Sequence, residues 1–438
     1  MDLDNLDTFR IATCDLNGQM RGKRMPQKDQ RKLASGDLRM PLSVLNVDIW
    51  GADIINSPLL FASGDGDGYL LPTNRGPVPM PWLDQPSALV GMWMFEEDGR
   101  PFEGDPRHAL AQILDRYAAR GWQVVAATEL EFYLIDDSAE SLRPPKDPAS
   151  NRKIDSSAIL SLQQLDAFEA FFSELYQSCA QMGINAQAAS SEAGIGQFEI
   201  SLQHGDALRI ADDTWLFKTL LKGLARKHGY AASFMAKPYP NDAGNGLHLH
   251  FSVIDEAGEN IFDDGTKQGS TLLQNAIAGC LATMRAATLG FAPHANSYTR
   301  MDPENHAPTS ICWGYENRTA ALRIPAGAHR ARRIEHRVAG GDINPFLTLS
   351  LILGAALLGI EDDLTPPPPI TGNAYSQDLP QLIHSWSEAI DMFENDPMIA
   401  RILPAQLIEN FSLTKRQELD GLKNIPQEEH WKIYLETV

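Results

Sequence analysis

The spacing of apolar residues changes character near residue 105. Before it, short β-type runs (residues 9–12 and 88–95) are separated by turn-rich stretches, Ser63 to Gly68 and Pro77 to Pro81, which predicts a small β-rich domain over residues 1–104. After it, residues 107–120 carry apolar positions at helical spacing and residues 124–135 alternate as a strand. Further helices are expected over 161–182, over 213–228 with Asp212 as the cap, and beyond the proline run at 366–369. The apolar stretch 345–360 is interrupted by Thr348, Ser350 and Gly354 and falls short of the roughly 20 residues of a membrane span. It reads as a buried helix. With 438 residues the chain is long enough for two domains, the second over 105–438.

Composition narrows the function. The formal charge of −20 repels phosphate backbones and anionic bilayers, so neither nucleic acid nor a membrane is an expected partner. The four cysteines, Cys14, Cys179, Cys280 and Cys312, form no CxxC pattern and read as free thiols of a reducing compartment. The N-terminal stretch has neither a basic nor an apolar signal region, and the expected location is the cytoplasm.

Chemistry concentrates in a few short segments. In Thr128-Glu-Leu-Glu-Phe132 the carboxylates of Glu129 and Glu131 share one strand face and Leu130 and Phe132 the other. Two like charges side by side in apolar surroundings favour a cation between them. Glu192 and Glu199 flank Gly194 and Gly196, which lets a loop return both acids to one place. In the segment from Asn245 to Ser252, His248, His250 and Ser252 share one strand face, more polar groups in register than a core strand ordinarily carries. A run rich in guanidinium groups follows, with Arg318, Arg323, Arg330, Arg333 and Arg337 beside Glu335, suited to gripping phosphoryl and carboxylate groups. No GxxxxGK[ST] phosphate loop is present.

In this order and spacing the segments resemble the glutamine synthetase family, chiefly over residues 105–360. The resemblance implies an α+β fold: a small N-terminal β-grasp domain, then a catalytic domain whose antiparallel sheet forms half of an active-site barrel between neighbouring subunits. It further implies a homo-oligomer of stacked hexameric rings, a dodecamer. ATP is the implied co-substrate, with two or three Mg²⁺ or Mn²⁺. By position, Glu131, Glu192 and Glu199 match the ligands of one ion and Glu129, His248 and Glu335 those of the second. Arg300 and Arg337 match residues that hold glutamate and its phosphorylated carboxyl, with Gly244 and Gly246 supplying backbone contacts. Arg318 and Arg323 match phosphate-facing arginines, and His250, Ser252, Arg330 and Arg333 match nucleotide contacts. The implied reaction joins the γ-carboxyl of glutamate to an amine through γ-glutamyl phosphate.

Departures from the pattern bear on the acceptor. Where ammonia-using members carry a flap glutamate, this chain has His306, with Glu304 nearby. The Asp-Gly-Ser-Ser of an ammonium pocket is replaced by Asn46-Val-Asp-Ile-Trp-Gly51, and Ala243 stands where an asparagine is usual. Ammonium needs fixed anionic partners. The chain therefore looks most like the γ-glutamylpolyamine synthetase branch, the glutamate-putrescine ligases among them, with a polyamine or alkylamine as acceptor. In that reading His306 or Glu304 is the base, and a neighbour's Asp48 or Trp50 lines the pocket. The alternatives are an ammonia-using glutamine synthetase, phosphoryl transfer to a guanidino or other acceptor, a metal-dependent hydrolase built on His248 and His250, and a non-catalytic structural homologue. Tyr375 does not match an adenylylation loop closely enough to predict that modification.

Overall fold

The computed structural model describes residues 2–60, 62–303 and 307–438; the flap residues Glu304 and His306 lie outside them. Five strands form the first sheet: β1 (Thr8–Cys14), β2 (Met20–Pro26), β3 (Arg39–Pro41), β4 (Asp67–Pro79) and β5 (Ala88–Phe95), in the order β2-β1-β5-β4-β3. β4 runs through the proline-rich residues 77–79 that the sequence assigned to a turn. These prolines are tolerated because β4 pairs with β5 on one side, while on the other β3 covers only Asp67 to Tyr69. The missing N–H groups therefore interrupt no ladder.

The second sheet has nine strands. They are β6 (Trp122–Ile135), β7 (Ala186–Ser191), β8 (Gln197–Leu202), β9 (Gly205–Asp206), β10 (Ala231–Ser233), β11 (Leu247–Asp255), β12 (Trp313–Tyr315), β13 (Leu322–Ile324) and β14 (Ile334–His336). Their order is β12-β13-β14-β11-β6-β8-β7, with β9 and β10 also on β6. All of its pairings are antiparallel except β12 with β13. Mixed sheets with helices on the core side make this an α+β fold.

Alternation explains which face is which. Along β6, Val124, Ala126, Thr128, Leu130 and Phe132 are buried while Val125, Ala127, Glu129 and Glu131 are only half-buried. The buried face packs on the helices Ala207–Lys227 and Pro106–Ala118. Behind these lies Pro345–Glu361, buried from Pro345 through Ile360. Asn344 starts it, accepting from the N–H groups of Phe346 and Leu347, with Pro345 in the first turn. No helix among the described residues is long and apolar enough to cross a membrane. All four cysteines are free and buried.

Two helix expectations need correction. The single helix over 161–182 is two, Leu162–Ala167 and Glu169–Met182. Phe168 breaks them by leaving helical geometry so that its ring packs edge-on against Phe198 and Tyr230. Asp212 is not a cap. The helix starts earlier, at Ala207, where Asp206 accepts from the Arg209 N–H, and Asp212 lies within it, buried. There it takes two bonds of 2.8 Å from the guanidinium of Arg107, which also lies 3.7 Å from the Trp93 ring. This pair ties β5 to both helices. Removing one partner of a buried pair leaves an uncompensated charge, so Asp212→Ala is expected to cost about 3–5 kcal/mol, read as a lower urea midpoint.

Candidate active site

Register alone assembles the polar face of the large sheet. β6 lies between β11 and β8, so Glu129 faces His248 on one side and Ser201 on the other, and Glu131 faces Glu199. On the next strand out, His250 faces Glu335 of β14, which in turn faces Arg323 of β13. Acids and imidazoles some 200 residues apart thus become neighbours on one surface. Glu192, at the turn after β7, completes the group and accepts from the Ser190 hydroxyl at 3.1 Å.

Glu129 is the centre. Its Oε2 lies 3.1 Å from Nδ1 of His248 and its Oε1 lies 3.1 Å from Nε2 of His250. Burial opposes its ionisation, but the two imidazoles outweigh that and hold the carboxyl well below the usual range. The opposite happens at Glu192 and Glu199, where burial and neighbouring carboxylates outweigh one arginine apiece, Arg318 and Arg337. Burial, then repulsion from Glu131, pushes Glu192 up to about 7. Burial, then repulsion from Glu129, Glu131 and Glu192, pushes Glu199 up to about 9. Glu335 is buried, which raises its pKa, yet it sits below normal because Arg337, His248, His250 and Arg323 surround it. Arg323 Nη1 donates to one Glu335 oxygen at 2.6 Å and Arg337 Nη1 to the other.

The cluster fits a divalent metal. Glu129, Glu199 and His248 each bring one ligand atom within 4.8 Å of the others, and so do Glu129, His250 and Glu335. Nε2 of His250 is buried beside Oε1 of Glu129, while its Nδ1 accepts from Nε of Arg333 at 3.2 Å. With Nδ1 accepting, a neutral His250 carries its proton on Nε2, facing Oε1 of Glu129, so its lone pair is turned to Arg333 rather than to a metal. Carboxylate oxygens with few imidazoles suit Mg²⁺ or Mn²⁺. The grouping differs from the expected partition. Glu199 stands with Glu129 and His248, and His250, expected at the nucleotide, stands with Glu129 and Glu335. Glu131 and Glu192 are beside these groups, Glu131 accepting from the Gly246 N–H at 2.5 Å.

Arg300 is buried against the same surface, its Nη1 donating to the Val338 carbonyl at 2.9 Å. Gly244 and Gly246 make room for it. A Cβ on Gly244 would lie 2.7 Å from the Ala236 carbonyl and 2.8 Å from Cγ of Arg300. One on Gly246 would lie 2.8 Å from Nη2 of Arg300 and 3.3 Å from Oε2 of Glu131. Ser252 shares the face of His248 and His250 and is half-buried, whereas Arg318 and Arg330 are exposed at the rim. Of the other histidines, His294 is buried against Tyr434 and His329 is exposed; neither joins the donor groups. The Tyr375 hydroxyl is enclosed.

Some contributors were not read from the sequence. Tyr133 donates to the Ala243 carbonyl, and Asn245 is held by Gln197 and by the carbonyls of Ser233 and Met235. These bonds fix the loop carrying both glycines. A polar Gln197 and Tyr133 inside apolar strands were the available signals.

Comparison with known proteins identifies the family. The glutamine synthetase catalytic domain matches residues 103–434. The chain belongs to the glutamine synthetase family. It is 35% identical over 420 residues to the gamma-glutamylputrescine synthetase PuuA of Escherichia coli, covering 95% of this chain and 89% of that protein. It is 30% identical over 431 residues to the glutamine synthetase of Thermus thermophilus, covering 96% and 94%. A crystal structure described as a novel glutamine synthase homolog superposes with a TM-score of 0.85 at 26% identity, covering both chains fully. Members of the glutamine synthetase family are ATP-dependent carboxylate-amine ligases that use divalent metal ions, and this chain is an enzyme of that kind.

Two substitutions test the site. Glu129→Gln removes the carboxylate common to both donor groups. Mn²⁺ affinity, followed by electron paramagnetic resonance, is expected to fall by more than the about 10–100-fold that loss of an outer-shell partner costs. Gly246→Ala displaces Arg300 and Glu131 without touching the core, so turnover is expected to drop about 100-fold at a nearly unchanged melting temperature.

Proposed function

We propose that this enzyme joins the γ-carboxyl of glutamate to a primary amine, a polyamine or alkylamine, at the expense of ATP. The observation that carries the choice of acceptor is the state of Asp48, the anion in the segment where an ammonium pocket would be completed. It is buried in its own chain. One oxygen accepts from the Trp50 and Ala52 N–H groups and the other from Gln417. A carboxylate occupied in this way offers no fixed partner to ammonium, which leaves Trp50, 43% exposed, as the group for a neighbour's pocket. The identity with gamma-glutamylputrescine synthetase supports the same reading.

In the proposed mechanism Arg300 and Arg337 hold the glutamate carboxylates. His250, Ser252, Arg330 and Arg333 hold the nucleotide, and Arg318 and Arg323 face its phosphates. A γ-carboxylate oxygen bonds to the γ-phosphorus, the bond to the β-bridging oxygen breaks, and ADP departs. The amine nitrogen then attacks the acyl carbon, phosphate leaves, and His306 or Glu304 takes the proton. Glu129, Glu131, Glu192, Glu199, His248 and Glu335 would hold divalent ions, which would supply neutralisation of the developing phosphoryl charge. The arginines meanwhile orient both carboxylates and exclude water.

We assign residues 1–104 to a β-grasp domain and 105–438 to the catalytic domain, with the large sheet as half of a barrel closed by a neighbour. Stacked hexameric rings acting in the cytoplasm are the proposed assembly. Exposed Ile159, Leu160 and Leu162, at 63%, 71% and 73%, support self-association. The deciding experiment is ADP release with glutamate, ATP and Mg²⁺ against ammonium and a panel of alkylamines, diamines and polyamines, with mass detection of the amide. Turnover with an amine and little with ammonium is expected. Preference for ammonium returns the chain to glutamine synthesis, and silence with every acceptor rejects glutamate-amine ligation.

A further inference from the structure

Residues 338–343 are where the separate parts of the acid-binding surface are fastened together. The Val338 carbonyl accepts from Arg300, the Ala339 carbonyl from the Leu247 N–H, and the Gly341 N–H donates to the Asn245 carbonyl. The two last bonds flank Gly246. Asp342, 1% exposed, accepts from the Ser297 hydroxyl at 2.6 Å through Oδ2, and Ser297 begins the short helix Ser297–Arg300 that ends in Arg300 itself. The segment thus holds Arg300 from both ends of its helix.

Beneath the segment lies an ionisable group that the reaction does not use. Lys218, in the helix Ala207–Lys227, donates through Nζ to the carbonyls of Gly341 at 2.8 Å and Ile343 at 3.3 Å, bracketing Asp342. Its ammonium stands 5.1 Å from the centre of the Phe234 ring, and Phe234 packs on Phe132 of β6. Burial pulls Lys218 down to about 8, with Asp342 the largest opposing influence. Burial raises Asp342, and Ser297, Lys218 and Arg300 act against it. Placing a lysine here is costly unless its charge is used. Its use is to hold the Gly341 and Ile343 carbonyls on either side of Asp342, while balancing the carboxylate that grips Ser297.

We infer that Lys218 is a positioning residue of the acid-substrate site, clamping residues 338–343 so that Asp342, Ser297 and Val338 hold Arg300 where the substrate carboxylate binds. The inference rests on the proposed role of Arg300, but its structural half does not. Hydrogen exchange of the native enzyme tests that half without any substrate. Lys218→Met is expected to speed exchange at the amides of Gly341 and Leu247 about tenfold while leaving the N-terminal sheet unchanged. Lys222→Met, which removes a lysine one turn along the same helix that donates to the Glu436 carbonyl, is expected to change neither.

Kinetics test the other half. Lys218→Met and the isosteric Asp342→Asn are expected to raise KM for the acid about tenfold with KM for ATP within about twofold, and Lys218→Arg to recover part of the loss. Unchanged exchange at Gly341 and Leu247, or a parallel rise in both KM values, overturns the positioning role and leaves Lys218 a core fastening. Should Lys218→Met fail to fold, Asp342→Asn carries both readouts. A wild-type enzyme that does not turn over glutamate overturns the proposed reaction instead, and the exchange result still decides the clamp.

Discussion

Crowding of carboxylates on one sheet face is the constraint on which the rest depends. Glu129, Glu131, Glu192 and Glu199 converge where burial already disfavours charge, and two of them respond by holding their protons far above the normal range. Such a surface is stable as built only when something positive completes it. Two imidazoles face Glu129 and two guanidiniums face Glu335, and both acids belong, with Glu199, to the donor groups that fit a divalent ion. Site and electrostatics are therefore one problem, and the apolar core behind β6 keeps the acids from turning away from each other.

The neutralising arginines come from the far side of the same sheet. β13 and β14 are short, yet their pairing delivers Arg323 and Arg337 to opposite oxygens of one carboxylate. Guanidiniums held in this way are oriented before a substrate arrives, which suits catalysis by positioning and charge stabilisation. Arg300 reaches the surface differently, through a four-residue helix resting on two glycines and a carbonyl. Its place depends on backbone geometry and so on residues remote from the chemistry.

Much of the site was legible in the chain because strand alternation needs only local order. Glu129 with Glu131, and His248 with His250, share a face whatever the neighbours are. Helix boundaries were less legible. Asp212 resembles a cap in sequence, but a buried Arg107 claims it, and Phe168 ends a helix because two aromatic partners await it. The prolines of β4 read as a turn because nothing local says that β3 covers so little of that strand.

What the sequence by itself determined was the inventory and its facing: which acids, imidazoles and guanidiniums exist, which share a strand face, and, through the resemblance they carry, the family and its chemistry. Only the tertiary structure decided who meets whom. The antiparallel register sets Glu129 against His248 and Glu131 against Glu199, groups His250 with Glu335, and places Lys218 beneath the loop that holds Arg300. The physical reason is that alternation is a property of one strand, whereas partnership depends on the offset between strands distant in the chain. That offset is set by the packing of the whole core.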